Sequence, residues 1–470
     1  MEKKSWGEFA FAGLLLFICI FSVNNWSLWL DESSTAILAS IPSFKGFVEK
    51  LSVWTGSESQ MPLYIGCMWA WEKLAGHTEY ALRFFNVVMA LIGICYCAYS
   101  AKRMKKSDAA KVKVAMALMV ITPFFIYNMN EARVNISLCV LSALCYVGIY
   151  MYGKYQSKID LYICVIALII GCGFNMLFFF VAPILLVMGL SFDKKIISKN
   201  IAPFTIGVIG CVAIGCYYLW TLMQSKGGMV ERPGLSNIAY SLYEFMGFNG
   251  MGAPKNEIRE SEHLIATIKP YIPWMLALCV SYALLAWRMI VEKAFNKTLW
   301  IFIGGLLLFV IGAYVASFRF WGRHLFIFYP LWIYTLSSVI YDLWADKRII
   351  NRAVVTVFIL MIIVSSIRIA CLNQYKKENV KETVAFVNNL AGMDNQDVYF
   401  AGFDELANYY GLKNQQNLKN MEKADNGILV FIKSMKVFYG GSNIYYQPEK
   451  YEYELIRSNS TSDIYQFKKK

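Results

Sequence analysis

The chain is organised as a series of long apolar runs separated by short polar segments. An α-helix needs roughly 20 apolar residues to cross a bilayer, and eleven runs approach that length. They lie near 9–30, 81–101, 112–128, 134–152, 161–173, 176–192, 201–223, 271–290, 298–318, 323–344 and 352–371. The pattern therefore predicts an all-α polytopic membrane protein with about eleven transmembrane helices.

The charge of the polar segments predicts the orientation of these helices. The N-terminal tail and every second loop carry about nineteen Lys or Arg, whereas the longer loops on the other side carry about ten. Positive charge collects on the cytoplasmic side of membrane proteins. We therefore expect a cytoplasmic N-terminus, and we expect 31–80, 224–270 and everything after about 371 to lie outside. In a bacterium, the membrane would be the inner membrane and the outer side the periplasm.

The last hundred residues have a mixed pattern that differs from the apolar runs. Residues 375–390 have helical spacing, 397–401 and 427–432 have the composition of short strands, and 451–469 alternate like a hairpin. This predicts a transmembrane domain over 1–371 and a small outward-facing soluble α/β domain over 372–470.

The first outward loop, 31–80, contains a short apolar stretch rich in Trp, which begins at Gln60 and extends to Leu74. It is too short to span, and its composition is typical of a helix that lies in the membrane interface. An additional short span is the alternative, but it would break the alternation of charge along the rest of the chain.

Composition narrows the class of protein further. Of the 470 residues, 57% are hydrophobic and only 16% are charged, against about a quarter charged in soluble domains. The net charge of +13 comes mostly from clusters between apolar runs, so we predict a bilayer and no nucleic acid as the partner. The Cys and His residues show no metal-binding spacing, and we predict neither a metal nor a cofactor.

Two adjacent carboxylates, Asp31 and Glu32, follow the first apolar run directly. Charges just outside a span are often only a solvated helix end. A carboxylate at the edge of a hydrophobic wall can instead act as a proton acceptor beside a lipid-borne substrate. We take Asp31 and Glu32 as the catalytic candidates.

Polar residues also collect at three later outward positions, near 128–133, 250–259 and 319–324. Charged groups at the membrane edge are costly and are therefore functional candidates, and Arg suits phosphate because its planar fork donates paired hydrogen bonds. For Arg323, an interfacial anchor is an equally good explanation. The substrate-binding candidates are Tyr64, Arg133, Arg259, Arg319, Arg323 and His324.

Taken together, these segments resemble the GT-C superfamily of membrane glycosyltransferases, in particular the branch of protein O-mannosyltransferases and lipid A aminoarabinose transferases. The resemblance rests on Trp29–Glu32, Pro62–Tyr64, Glu79–Arg83, Glu131–Arg133, and Gly322–His324 through Tyr329–Pro330. It covers the first hundred and fifty residues well. Gln60-Met61 and Val134-Asn135 depart from the usual pattern, which leaves the sugar and the acceptor open.

The resemblance implies an inverting transfer of a hexosyl or pentosyl group from a polyprenyl-phosphate-linked donor to a lipid, glycan or protein acceptor at the outer face. Asp31 would be the general base, and Glu32 would orient a group or pair with a cation. Arg259, Arg319 and Arg323 would stabilise the departing phosphate, and Arg133 would be a structural partner of Glu131 or Glu32.

Two other function classes remain open at this point. A flippase or transporter of lipid-linked saccharides would also be apolar and polytopic, but transporters carry ionisable residues at mid-membrane and often have repeated halves. A polymerase or ligase of lipid-linked saccharides would share the chemistry without the Asp-Glu placement.

Overall fold

The computed structural model describes residues 3–54, 56–224, 231–254, 257–258, 261, 263–372, 378–394, 396–402, 404–433 and 446–470. Most of them form helices. The first helices are α1 Lys3–Ser22, α2 Leu30–Ala39, α3 Phe44–Val53, α4 Pro62–Ala75, α5 Glu79–Arg103, α6 Lys106–Ile121, α7 Pro123–Met129, α8 Asn135–Tyr155, α9 Lys158–Phe174, α10 Val181–Phe192, α11 Ile196–Lys199 and α12 Ile201–Met223. Then follow α13 Leu235–Phe245, α14 Leu264–Ile268, α15 Ile272–Val291, α16 Lys297–Val315, α17 Tyr329–Ala345, α18 Ile349–Cys371, α19 Val380–Asp394 and α20 Asp404–Tyr409.

Within the described residues, seven helices are long and apolar enough to cross a membrane, or eight if α6 and α7 form one bent span. The chain is a multi-pass membrane protein, but this count is below the predicted eleven. The difference has local causes. Pro123 separates α6 from α7 at an angle of 59°, because proline cannot continue the helical hydrogen bonding. Asn175 ends α9, and a short 3₁₀ helix, Met176–Phe180, precedes α10.

The first apolar run also forms a shorter helix than its hydropathy suggests. Helix α1 ends at Ser22, and the chain continues without regular structure until α2 begins at Leu30. Leu28 and Trp29 are nevertheless buried. The run 9–30 is therefore helical only as far as Ser22, and residues 23–29 form an irregular segment, which we call the 23–29 segment.

Helix α8 and the segment Gly322–Ala345 form the centre of the bundle, since both are mostly buried inside the protein. Helices α12 and α16 expose most of their apolar side chains, as expected for helices that face lipid. The segment Gly322–Ala345 begins with a 3₁₀ helix, Gly322–Phe328, before α17.

The C-terminal residues form a five-stranded sheet, which contains the two predicted strands and the predicted hairpin together with one further strand. The strands are β1 Val398–Ala401, β2 Gln415–Gln416, β3 Asn426–Ile432, β4 Tyr451–Ser458 and β5 Ser462–Lys469, in the order β2-β1-β3-β5-β4. β1 is parallel to β2 and β3, and β5 is antiparallel to β3 and β4. The division at 371/372 into two domains stays a prediction.

Candidate active site

Asp31 and Glu32 lie in the first turn of α2. Trp29 has an extended backbone and precedes the helix, and the Glu32 carboxylate accepts a hydrogen bond from the Trp29 N–H at 3.3 Å. This is the glutamate half of a capping box, which satisfies one of the free N–H groups at a helix start. Because the N-terminus of a helix carries partial positive charge, this turn stabilises both carboxylates.

Glu32 forms a buried ion pair with Arg83 of α5. The Arg83 Nε and Nη2 donate to the two carboxylate oxygens at 2.9 and 2.7 Å, and the side chains are 0% and 1% exposed. The backbone N–H of Ala132 donates to the same carboxylate at 2.6 Å. Glu32 is thus surrounded by donors that belong to the protein, an arrangement that orients the neighbouring backbone.

Arg83 also holds the 23–29 segment in its irregular path. Its Nη1 donates to the carbonyls of Asn24 and Trp26 at 3.2 and 2.8 Å, and its Nη2 donates to the carbonyl of Ser27 at 3.1 Å. Buried carbonyls outside regular structure need such partners. One arginine therefore replaces the helical hydrogen bonds that the segment lacks, and all three of its nitrogens are in use.

Asp31 makes a different kind of pair, with Arg323. The Arg323 Nη1 donates to the Asp31 Oδ2, and these side chains are 19% and 27% exposed. The guanidinium also lies over the Trp29 ring, 5.6 Å from its centroid. Among the described residues, only Nη1 of Arg323 has a hydrogen-bond acceptor. The pair therefore faces an accessible space and leaves donors of Arg323 for another anion.

Arg323 is held by the turn that precedes α17. The His324 Nδ1 accepts from the Trp321 N–H at 2.9 Å, and the Gly322 N–H donates to the Glu244 carboxylate at 3.1 Å. A Cβ on Gly322 would lie 2.6 Å from the Glu244 Cβ and 3.0 Å from the Ser241 carbonyl, so only glycine allows this approach to α13. His324 thus shapes the turn from which Arg323 extends.

Arg133, between α7 and α8, contacts the backbone carbonyl of Asp31. Its Nη1 donates to the Asp31 carbonyl at 2.8 Å and also pairs with the Glu58 carboxylate, while its Nη2 donates to Ser57 at 2.9 Å. Burial lowers the pKa of Arg133, but the carboxylates of Glu58 and Asp31 outweigh this and hold the pKa above its ordinary value. The carboxylate bound here is that of Glu58, rather than the Glu131 or Glu32 that the sequence suggested.

The other predicted residues lie apart from the Asp31 carboxylate or outside the description. Tyr64 is fully buried between Phe85 and Phe174, and burial raises the pKa of its hydroxyl. Arg319 pairs with Glu231 at 2.5 Å, and its side chain is 36% exposed. Arg259 lies outside the described residues.

Three residues that contribute to this geometry were not assigned a role by the sequence. They are Arg83, Glu58 and Tyr410, whose hydroxyl accepts from the Leu28 N–H at 2.7 Å. For Arg83, the sequence contained an indication, since this residue lies within the segments that carry the family resemblance. Glu58 and Tyr410 had none, because their partners are 75 and 382 residues away in the chain.

No protein-family model and no curated protein sequence match the chain. Two solved structures of ArnT from Cupriavidus metallidurans do. The apo structure is 10% identical with a TM-score of 0.56, and the match covers 99% of this chain and 98% of that one. The structure bound to undecaprenyl phosphate is 10% identical with a TM-score of 0.53, and the match covers 98% of both chains.

At this identity, the likeness concerns the fold. The chain has the fold of ArnT along nearly its whole length. The predicted resemblance is thereby confirmed for the fold, which includes the helical bundle and the small C-terminal sheet.

Proposed function

We propose that this protein transfers a sugar from a polyprenyl-phosphate-linked donor to a hydroxyl of a lipid, glycan or protein acceptor, at the outer face of the membrane. Two similar structures belong to ArnT, one of them bound to undecaprenyl phosphate, and that fold supports a glycosyltransferase with a lipid-linked donor. The observation that carries the proposal is the Asp31–Arg323 pair, which joins a half-buried carboxylate to a guanidinium with unused donors.

The two members of the pair have complementary tasks in such a transfer. Arg323 binds the donor phosphate through those of its N–H groups that donate to no described residue. A guanidinium binds phosphate oxygens in a planar, paired geometry. A phosphate at Arg323 competes with Asp31 for the same positive charge. Donor binding therefore weakens the hold of Arg323 on Asp31 and leaves the carboxylate ready to accept a proton.

The chemical step is a single displacement at the anomeric carbon. The acceptor oxygen attacks this carbon from the face opposite the phosphate, and the Asp31 carboxylate accepts the proton of the acceptor hydroxyl. The bond between the anomeric carbon and the phosphate oxygen breaks, and its electron pair leaves with the polyprenyl phosphate. Arg323 stabilises that charge. Because one displacement occurs, the configuration at the anomeric carbon is inverted.

In this scheme, Glu32 is a positioning residue. Its carboxylate is bound by Arg83 and by the Ala132 N–H, and its side chain is buried, so it fixes the turn that carries Asp31. Arg133 does the same through the Asp31 carbonyl, and His324 through the turn at Arg323.

Comparison of lipid-linked sugars and envelope glycans tests the proposal. The strains carry the parental protein, the Asp31→Asn variant, the Arg319→Gln control or no protein, and the readout is mass spectrometry. We expect Asp31→Asn to match the strain without protein, with one lipid-linked sugar accumulating and that sugar missing from one acceptor. Arg319→Gln should match the parent.

Three outcomes would contradict the proposal. If the Asp31→Asn strain made the same glycans as the parent, Asp31 would not be the general base. Unchanged glycan composition with an altered sidedness of the lipid-linked pool would identify a transporter instead. Longer or shorter saccharide chains, without loss of one sugar, would indicate a polymerase.

A further inference from the structure

The C-terminal residues contact the 23–29 segment directly. The Leu28 N–H donates to the Tyr410 hydroxyl at 2.7 Å, and the Lys381 N–H, in the first turn of α19, donates to the Ser27 hydroxyl at 3.2 Å. Leu28 is fully buried, so its N–H has no access to water. A buried N–H without a partner costs free energy comparable to a lost hydrogen bond, and Tyr410 prevents this.

Two sets of groups therefore hold the same short segment from different parts of the chain. Arg83 binds the carbonyls of Asn24, Trp26 and Ser27, whereas Tyr410 binds the N–H of Leu28. Three residues after Leu28 comes Asp31, in the first turn of α2. A shift of Leu28 would move the start of this helix and, with it, the Asp31 carboxylate.

We propose that Tyr410 is a positioning residue for the Asp31 carboxylate, and that the C-terminal part of the chain thereby completes the catalytic geometry. This inference rests on the transfer reaction proposed above. It assigns the C-terminal residues a task in positioning the proposed base.

Burial keeps the Tyr410 hydroxyl neutral in its contact with the Leu28 N–H. Burial raises the pKa of Tyr410 above its ordinary value, so the hydroxyl stays neutral and accepts from the Leu28 N–H without a charge at this position. Its ring packs against that of Tyr409 with centroids 5.5 Å apart. Tyr410→Phe therefore keeps the packing and removes the hydrogen bonds that the hydroxyl accepts from the Leu28 N–H and, at 3.4 Å, from the Ser27 hydroxyl.

Tyr409 provides a matched control. Its hydroxyl donates to the His77 carbonyl at 2.6 Å, so it joins the same C-terminal helix to the loop between α4 and α5. The two tyrosines are adjacent, and each joins the C-terminal residues to the first outward loop or the segment before it. Of the two, Tyr410 contacts the residues that lead to Asp31.

The experiment compares Tyr410→Phe, Tyr409→Phe and Asp31→Asn in the full-length protein in membranes. Amide hydrogen exchange of peptides that contain Leu28 reports whether the Leu28 N–H is still hydrogen-bonded. Sugar-transfer kinetics report how the loss of this bond affects the reaction. We expect faster exchange at Leu28 in Tyr410→Phe alone. A displacement of about 1 Å costs roughly a hundredfold in rate, so we expect kcat to fall about 10- to 100-fold with little change in the donor KM. Tyr409→Phe should keep both properties.

Each alternative result has a distinct meaning. Faster exchange with a parental kcat in Tyr410→Phe would overturn the positioning role. An equal loss of kcat in both tyrosine variants would overturn it too, since docking in general would then be the cause. Parental activity of Asp31→Asn would instead contradict the proposed reaction, and the exchange data would still report whether Tyr410 holds the segment.

Discussion

The consecutive residues Asp31 and Glu32 each pair with an arginine. The two pairs differ in burial and in how many nitrogens of the arginine donate hydrogen bonds to the protein. Glu32 and Arg83 are inaccessible to solvent, and all three guanidinium nitrogens donate to the protein. Asp31 and Arg323 remain partly exposed, and a single nitrogen of Arg323 has an acceptor among the described residues. The first pair leaves nothing for a ligand to bind, whereas the second leaves both a carboxylate and a guanidinium accessible.

Helix geometry explains how neighbours obtain such different environments. Adjacent residues on an α-helix point about 100° apart, so one first turn presents Glu32 to α5 and Asp31 to the turn before α17. The lesson is that the accessible pair depends on the buried pair. Arg83 and Glu32 fix the backbone, and the fixed backbone presents Asp31 to Arg323.

Removal of Arg83 should have the largest effect. Arg83→Gln leaves the Glu32 charge buried without a cation and frees the carbonyls of the 23–29 segment. Breaking a buried ion pair in this way costs about 3–5 kcal/mol of folding free energy. We expect a strongly lowered unfolding temperature and loss of the monodisperse peak in size-exclusion chromatography. If Arg83→Gln unfolded at the parental temperature, the pair would not hold the fold.

Neutralisation of Asp31 should separate activity from stability. Asp31→Asn removes the proposed base, and general-base catalysis contributes about 10²- to 10⁴-fold to a rate. A partly exposed ion pair contributes only about 0–1 kcal/mol to stability. We expect transfer to fall by that factor and the unfolding temperature in detergent to stay near the parental value. A large loss of stability would mean that both pairs are structural.

Substitution of Arg323 should weaken donor binding. Arg323→Lys keeps the charge but loses the planar fork, and Arg323→Gln loses both. Because hydrogen bonds to charged groups contribute about 1.5–3 kcal/mol, we expect polyprenyl phosphate to bind about tenfold more weakly to the lysine variant and up to about a hundredfold more weakly to the glutamine variant. Binding is measured with purified protein in detergent.

In the same binding assay, we expect Asp31→Asn to raise the affinity for polyprenyl phosphate, whereas the Arg323 variants lower it. Without the competing carboxylate, Arg323 should bind polyprenyl phosphate several-fold more tightly than in the parent. Equal affinities in the parent, Asp31→Asn and Arg323→Gln would show that the phosphate binds elsewhere.

The smallest effect should come from Arg319, four residues before Arg323. Its ion pair with Glu231 is exposed, and exposed pairs contribute about 0–1 kcal/mol. We expect Arg319→Gln to change both the transfer rate and the unfolding temperature only slightly. A loss as large as that of Arg323→Gln would place the donor phosphate near Arg319 and would contradict the comparison.

Much of the fold could be predicted from local sequence patterns. The apolar runs at 81–101 and 201–223 became helices α5 and α12, and the alternation at 451–469 became β4 and β5. These patterns are visible because a span or a strand buries side chains at a regular period. The run 9–30 shows the limit. Hydropathy cannot indicate that residues 23–29 leave the helix, since the groups that bind this segment, such as Arg83 and Tyr410, are distant in the chain.

The sequence by itself determined the class of the protein, its apolar helices and most of its C-terminal strands, and it suggested the Asp31-Glu32 dipeptide as the catalytic candidate. Only the tertiary structure decided which carboxylate is buried and which is accessible. It also selected Glu58 for Arg133 and Tyr410 for Leu28, partners that are far away in the chain. The residue types of a segment and the spacing of its apolar positions indicate which of its sides face water. The role of a carboxylate depends instead on the hydrogen-bond donors that surround it in space. Those donors come from α5, from the turn before α17 and from the C-terminal residues, and folding alone brings them together.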